Sequence, residues 1–130
     1  MKEEAMPEAP RRTAGLRCEE ARSIARGVMA ASGMGEPLVN DVLLVVSELV
    51  SNADRHADGV SDFRVVPLAG CVAVEVSDRS SSFPRTPGTP LDVPGGFGWL
   101  LVNRIADRTE IRPRDDGKTI AAFISLPAAP

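Results

Sequence analysis

The sequence predicts an α+β two-layer sandwich, a mixed, mostly antiparallel sheet with about three helices on one face. Three observations carry that prediction. Apolar residues recur every three or four positions through the first half of the chain, the period of a buried helix face. They alternate in short stretches near 63–67, 71–78, 108–112 and 119–126, as in half-buried strands. The strands come as two neighbouring pairs with short turns between partners, so they close as hairpins and need no parallel crossover. With 130 residues the chain is the size of one domain.

Residues 1–15 mix charge, Pro and Ala without period and read as a flexible arm. From Arg17 to Ser32, Cys18, Ala21, Ile24, Ala25, Val28 and Met29 fall at helical spacing, and Gly33 and Gly35 end the segment. Pro37 suits the first turn of a second helix. Leu38, Val42, Val46, Leu49 and Ala53 carry it to about His56, with Asp58 and Gly59 closing it. Its centre, DVLLVVSELV, is apolar around much of its circumference, so it is covered on more than one side.

Phe63 to Pro67 and Cys71 to Asp78 read as strands joined at Leu68-Ala69-Gly70, with Val72, Val74 and Val76 on one face. Residues 79–98 hold four prolines and four glycines and read as loop. Trp99 to Ala106 is a third helix. Arg108–Arg112 and Thr119–Leu126 form a second strand pair, with Asp116-Gly117 as the hairpin signal. The domain spans 16–126, and 127–130 is a tail.

Composition excludes several functions. Aromatic residues are 4% with no Tyr, too few for a surface that stacks bases. A net charge of -3 argues against direct nucleic-acid binding and against a basic membrane-surface protein. The densest apolar run, Val42–Val46, is too short to span a bilayer, and Met1–Thr13 lacks the apolar core of a signal peptide. A cytoplasmic protein is expected. Cys18 and Cys71 have no metal-ligand spacing and read as reduced, half-buried thiols.

Three local patterns point to chemistry. Glu48 and Asn52 lie four apart, on one face of the second helix. Leu44 and Val45 precede Glu48, and partial desolvation would raise a carboxyl pKa and suit it as a base. Asn52 offers a neutral oxygen that can ligate Mg²⁺. A solvated polar helix face would show the same two residues. Asp78 ends a valine strand, where an acid can accept from an amino group or simply cap a turn. Gly95-Gly96-Phe97-Gly98 leads into a helix, where backbone N–H groups can cradle an anion; hinges and caps use similar glycines. It is neither a Walker A loop nor a dinucleotide fingerprint.

The fixed order of the three patterns is far more specific than each one. VVSELVSNADRHA (Val45–Ala57), VEVSDRSSSFP (Val74–Pro84), GGFGWLLVNRIADR (Gly95–Arg108) and GKTIAAFISL (Gly117–Leu126) resemble, in turn, the N-box, the two glycine boxes and the last strand of the GHKL (Bergerat-fold) ATPases. Within that superfamily the chain is similar to the anti-sigma-factor serine/threonine kinases and to actinobacterial stand-alone ATP-binding domains. The resemblance covers nearly everything from Arg17 to Leu126.

The resemblance implies ATP and Mg²⁺ as cofactors. It puts the general base on Glu48, the Mg²⁺ ligand on Asn52, the reader of the adenine amino group on Asp78, and the water-mediated adenine contact on Thr119. Gly95, Gly96 and Gly98 become the phosphate-contacting glycines. Ser80 stands where that family usually has Gly, and Phe97 and Trp99 replace a polar residue and a Leu, so all three belong to the expected nucleotide site. His56 matches a histidine common after the N-box and takes no catalytic role. The lid between the boxes, Phe83–Pro94, holds Arg85 as its one basic residue. The implied function is a kinase that phosphorylates a small anti-sigma antagonist protein, binds a sigma factor, or both, with homodimers possible. The rival reading is a nucleotide-gated binding module without catalysis.

Overall fold

The computed structural model describes residues 15–81 and 96–126. They form α1 (Cys18–Ala31), α2 (Glu36–His56), β1 (Val60–Leu68), β2 (Cys71–Asp78), α3 (Gly96–Ile105), β3 (Arg108–Arg114) and β4 (Gly117–Ser125). The sheet order is β1-β2-β4-β3, and all three pairings are antiparallel. The mixed component expected from the sequence does not occur among the described residues, because two hairpins joined through β2 and β4 need no parallel pair. Residues 1–14, the lid Phe83–Pro94, Gly95 and the tail 127–130 lie outside the described residues.

The strands obey alternation. Val72, Val74 and Val76 of β2 and Ile120, Ala122 and Ile124 of β4 enter the core beneath the helices. Ala73, Ala121 and Phe123 form a smaller apolar cluster on the opposite face. In β1, Val60 and Phe63 are both fully buried although plain alternation would send them to opposite faces. A register shift between Val60 and Asp62 resolves this, since the extra residue of a bulge restores the inward side. Pro67 and Pro113 both sit on edge strands, where a missing N–H costs no central ladder bond.

α2 packs against α1, α3 and the sheet, which accounts for its broad apolar surface. Cys18 and Cys71 are free thiols and half-buried, as read from their spacing. No helix among the described residues is long and apolar enough to cross a membrane.

α3 begins at Gly96, three residues before the start the sequence predicts. Glycine's low helix propensity argues for loop there, but the segment packs on α2. Past its end, Asp107 ties α3 to β4. Its backbone N–H donates to the Phe123 carbonyl at 2.8 Å, and its Oδ2 accepts from the Ser125 N–H at 2.6 Å. Hydrogen bonds from the Ser125 side chain and backbone hold the Asp107 carboxyl below the ordinary carboxylate value. A depressed carboxyl stabilises the fold above its unfolded pKa, about 4, and that contribution is lost as pH falls through the folded value. Wild type should therefore be more stable than Asp107→Asn near neutral pH, and the gap should close below roughly pH 4. Thermal melts across that range measure it; a gap independent of pH would show that the carboxylate is not held in this way.

Candidate functional site

The site grows from α2. Around Glu48 and Asn52 the helix buries Val45, Val46, Leu49, Val50 and Ala53, which fixes its rotation. Glu48 is half-buried. Val45 is fully buried, whereas Leu44 is 45% exposed and does not shield the carboxylate as its position in the sequence suggested. Asn52, one turn on, is 7% exposed. Its Oδ1 and Nδ2 are both buried and have no hydrogen-bond partner among the described residues. An unsatisfied buried amide costs about 1–3 kcal/mol, and such a group calls for a partner that the described residues do not supply.

Gly98, in the first turn of α3, lies directly against Glu48. A Cβ at Gly98 would overlap the Glu48 Oε1 and stand 3.3 Å from its Cδ. The absent side chain is what lets the carboxylate meet the start of a helix, where free N–H groups gather. The structure thus brings Glu48 together with the glycine segment, which the sequence separates by fifty residues. Gly96 opens α3, and Gly95 lies outside the described residues. Of Phe97 only the backbone is described, as part of α3. Trp99 is 7% exposed and belongs to the main core. It anchors α3 within the core, whereas the resemblance put it in the expected nucleotide site.

At the end of β2, Asp78 is buried. Its Oδ1 accepts from the Ser80 N–H at 2.9 Å and from the Lys118 Nζ at 2.9 Å. The same ammonium donates to the Ser80 carbonyl at 3.3 Å. Ser80 therefore belongs to the Asp78 turn. Thr119 stands on the other side of the sheet. Its Oγ1 shares a 2.7 Å hydrogen bond with the Ser77 Oγ and accepts from Arg114 at 3.1 Å. The cause is strand parity: Asp78 pairs in register with Lys118, and Ser77 with Thr119. A shift of one residue along a strand exchanges the faces.

Lys118 is the site residue that the sequence reading missed. Ile120, Ala122 and Ile124 point inward in the structure, so position 118 does too, but Ala121 and Phe123 make the other face of β4 apolar as well and left that parity open in the sequence. On the far face Ser77 and Thr119 line an open polar groove of about 310 Å³ with Asp62, Arg64, Glu75, Arg112 and Arg114. This groove lies away from the Glu48 and Asn52 side of the sheet. The described residues hold no cluster of three or more His, Cys, Asp or Glu able to bind a metal, so any cation at Asn52 would draw most of its ligands from phosphate and water.

An Asn whose buried amide has no partner among the described residues thus stands one turn from a half-buried Glu, with a glycine helix start against the Glu and an acid at a strand end, on an α+β frame of three helices and a four-stranded antiparallel sheet. A profile of the histidine kinase-like ATPase domain matches residues 12–124, and the chain belongs to that family. No curated protein matches the chain. Solved structures with the same fold include the RsbU and RsbW domains of Rv1364c from Mycobacterium tuberculosis, 19% identical, TM-score 0.67, with 93% of this chain and 32% of that one covered. Another is the histidine kinase domain of the blue-light activated histidine kinase from Erythrobacter litoralis EL346, 20% identical, TM-score 0.53, with 84% and 60% covered. This chain thus spans about a third of the first and three fifths of the second. At such identities the likeness is one of fold: three helices on a four-stranded antiparallel sheet.

Proposed function

We propose that the domain binds Mg-ATP and transfers a phosphoryl group to a Ser or Thr hydroxyl of a small partner protein, in the manner of an anti-sigma-factor kinase. The buried amide of Asn52, without a partner among the described residues on either polar atom, carries this reading. Its Oδ1 fits a hard cation such as Mg²⁺, and its Nδ2 fits a phosphate oxygen. When bound, Mg²⁺ would neutralise charge developing on the phosphates. Gly96 and Gly98, with Gly95 before them, would hold phosphate oxygens at the start of α3. Glu48, packed against Gly98, is the group that would accept the hydroxyl proton. The M. tuberculosis structure, described as holding RsbU and RsbW domains, supports a protein partner in such a pathway, an antagonist or a sigma factor. A homodimer and a cytoplasmic setting belong to the same proposal.

Thermal melts with and without Mg-ATP test the nucleotide site. A ligand present at about 100 times its dissociation constant adds roughly 2.7 kcal/mol of stability. Wild type should show a shift of that order, and Asn52→Ala should lose most of it while melting no lower than wild type by more than about 1 kcal/mol without ligand, since no protein hydrogen bond is removed. The absence of any wild-type shift would refute the site.

A second reading is a nucleotide-gated module without catalysis. Ser80, which stands where that family usually has Gly and whose N–H donates to Asp78, favours it. Glu48→Ala separates the two. The kinase should lose transfer from labelled ATP to its partner and keep nucleotide binding, whereas the module should change little in either.

A further inference from the structure

The contacts of the Asp78 carboxylate are one-sided. Its Oδ1 accepts from the Lys118 Nζ at 2.9 Å, and the side chains of Lys118 and Asp78 are only 5% and 4% exposed. The Ser80 N–H donates to the same Oδ1, and the ammonium also donates to the Ser80 carbonyl. Oδ2 has no hydrogen-bond partner among the described residues. It is not sealed off either, since the fully buried side-chain polar atoms without a partner among those residues belong to Asn52 and Arg64. The backbone fixes where the pair stands. Asp78 and Lys118 are register partners across β2 and β4, and Gly117 brings the start of β4 so close that a Cβ there would overlap the Asp78 carbonyl oxygen. Strand parity puts both residues on the face of Val74, Val76 and Ile120, against which α2 and its Asn52 pack.

We propose that Lys118 is a positioning residue of the nucleotide site. Together with the Ser80 N–H it pins Oδ1, so that Asp78 presents Oδ2 as its one open oxygen, an acceptor for the 6-amino group of a purine. The ammonium supplies two things that the Ser80 N–H alone does not. It compensates a carboxylate that would otherwise stand as a lone buried charge and neutralise itself by taking a proton. It also gives the carboxylate a second anchor, where the terminal torsion of an aspartate is otherwise soft. A protonated or freely turning carboxyl pairs as readily with the 6-carbonyl of guanine as with the amino group of adenine. The preference for ATP over GTP would thus depend on Lys118, which itself touches no nucleotide. This inference rests on the nucleotide-site reading above and deepens it at the base end.

The test is titration of the full chain with Mg-ATP and Mg-GTP, for wild type and Lys118→Met, each checked for folding by far-UV circular dichroism and thermal melting. Wild type should bind ATP at least about tenfold more tightly than GTP, the difference that one hydrogen bond to a charged group makes. Lys118→Met should lower that ratio by about tenfold, chiefly by weakening ATP. A folded Lys118→Met whose ratio changes by less than about threefold, including one that loses both nucleotides alike, would make Lys118 a filler of the core and overturn the proposal. A wild type without preference for ATP would overturn it as well and leave the nucleotide site standing. Should Lys118→Met fail to fold, a crystal structure of wild type with a non-hydrolysable Mg-ATP analogue decides. Lys118 on Oδ1 with the amino group on Oδ2 supports the proposal; an ammonium displaced from Asp78, or an amino group not on Oδ2, overturns it. Failure of wild type to bind either nucleotide would overturn the nucleotide site and this inference together.

Discussion

Gly117→Ala should unfold a large fraction of the molecule or lower its melting temperature by at least about 10 °C. The Cβ would overlap the Asp78 carbonyl oxygen, and it would lie 2.7 Å from the Arg79 Cα and 2.8 Å from the Asp78 carbonyl carbon. All three obstacles are backbone: two belong to Asp78, the last residue of the central strand β2, and one to Arg79 just after it. A flexible side chain could rotate away, but here a whole strand must move. Gly117 also has φ +156°, a conformation that a β-carbon disfavours. Overpacking of this kind costs about 1–3 kcal/mol where neighbours can relax, and the rigid pairing of β2 and β4 places this position at or above the upper end. For a domain whose whole stability is about 5–15 kcal/mol, that loss is readily measured by thermal or urea unfolding. A melting temperature within a few degrees of wild type would show that β4 can retreat from β2, and that the Asp78–Lys118 pairing is looser than its geometry implies.

On the proposed kinase reading, Gly98→Ala should do the reverse, leaving the fold intact and lowering transfer. The new methyl would also overlap an atom, but that atom is the Oε1 at the free end of the Glu48 side chain. Rotation of the carboxylate relieves the clash. The helix propensity gained by replacing glycine inside α3, up to about 1 kcal/mol, offsets the rotamer cost. Stability should change by less than about 1 kcal/mol. A base displaced by the width of a methyl group no longer meets the hydroxyl, and misplacements near 1 Å can cost on the order of a hundredfold in rate. Transfer should fall by about that factor or more. The double variant with Glu48→Ala should be no worse than Glu48→Ala alone, since both act on one carboxylate. Normal transfer by Gly98→Ala would remove Glu48 from the role of base; a loss of several kcal/mol in stability would mean that the carboxylate is locked where it stands.

These two glycines share a residue type and differ in what approaches them, which local sequence does not record. Gly117 was legible as a hairpin glycine beside Asp116. The structure makes it the first residue of β4, after a two-residue turn of Asp115 and Asp116, with Arg114 as its register partner. Gly98 was legible as a member of a glycine-rich run, but its contact with Glu48 depends on how α3 lies on α2.

By itself the sequence determined the element order, the two hairpins and the burial of α2. These follow from the spacing of apolar residues, because each element must hide one face whatever its neighbours are. It also determined the helix turn shared by Glu48 and Asn52, since their separation fixes their angle about the axis. Tertiary structure alone decided the rest. It set the parity of β4, which turned Lys118 rather than Thr119 toward Asp78. It buried Trp99, and it left Asn52 without a partner among the described residues. Each of these depends on which backbone lies opposite, and in a strand a shift of one residue exchanges the two faces.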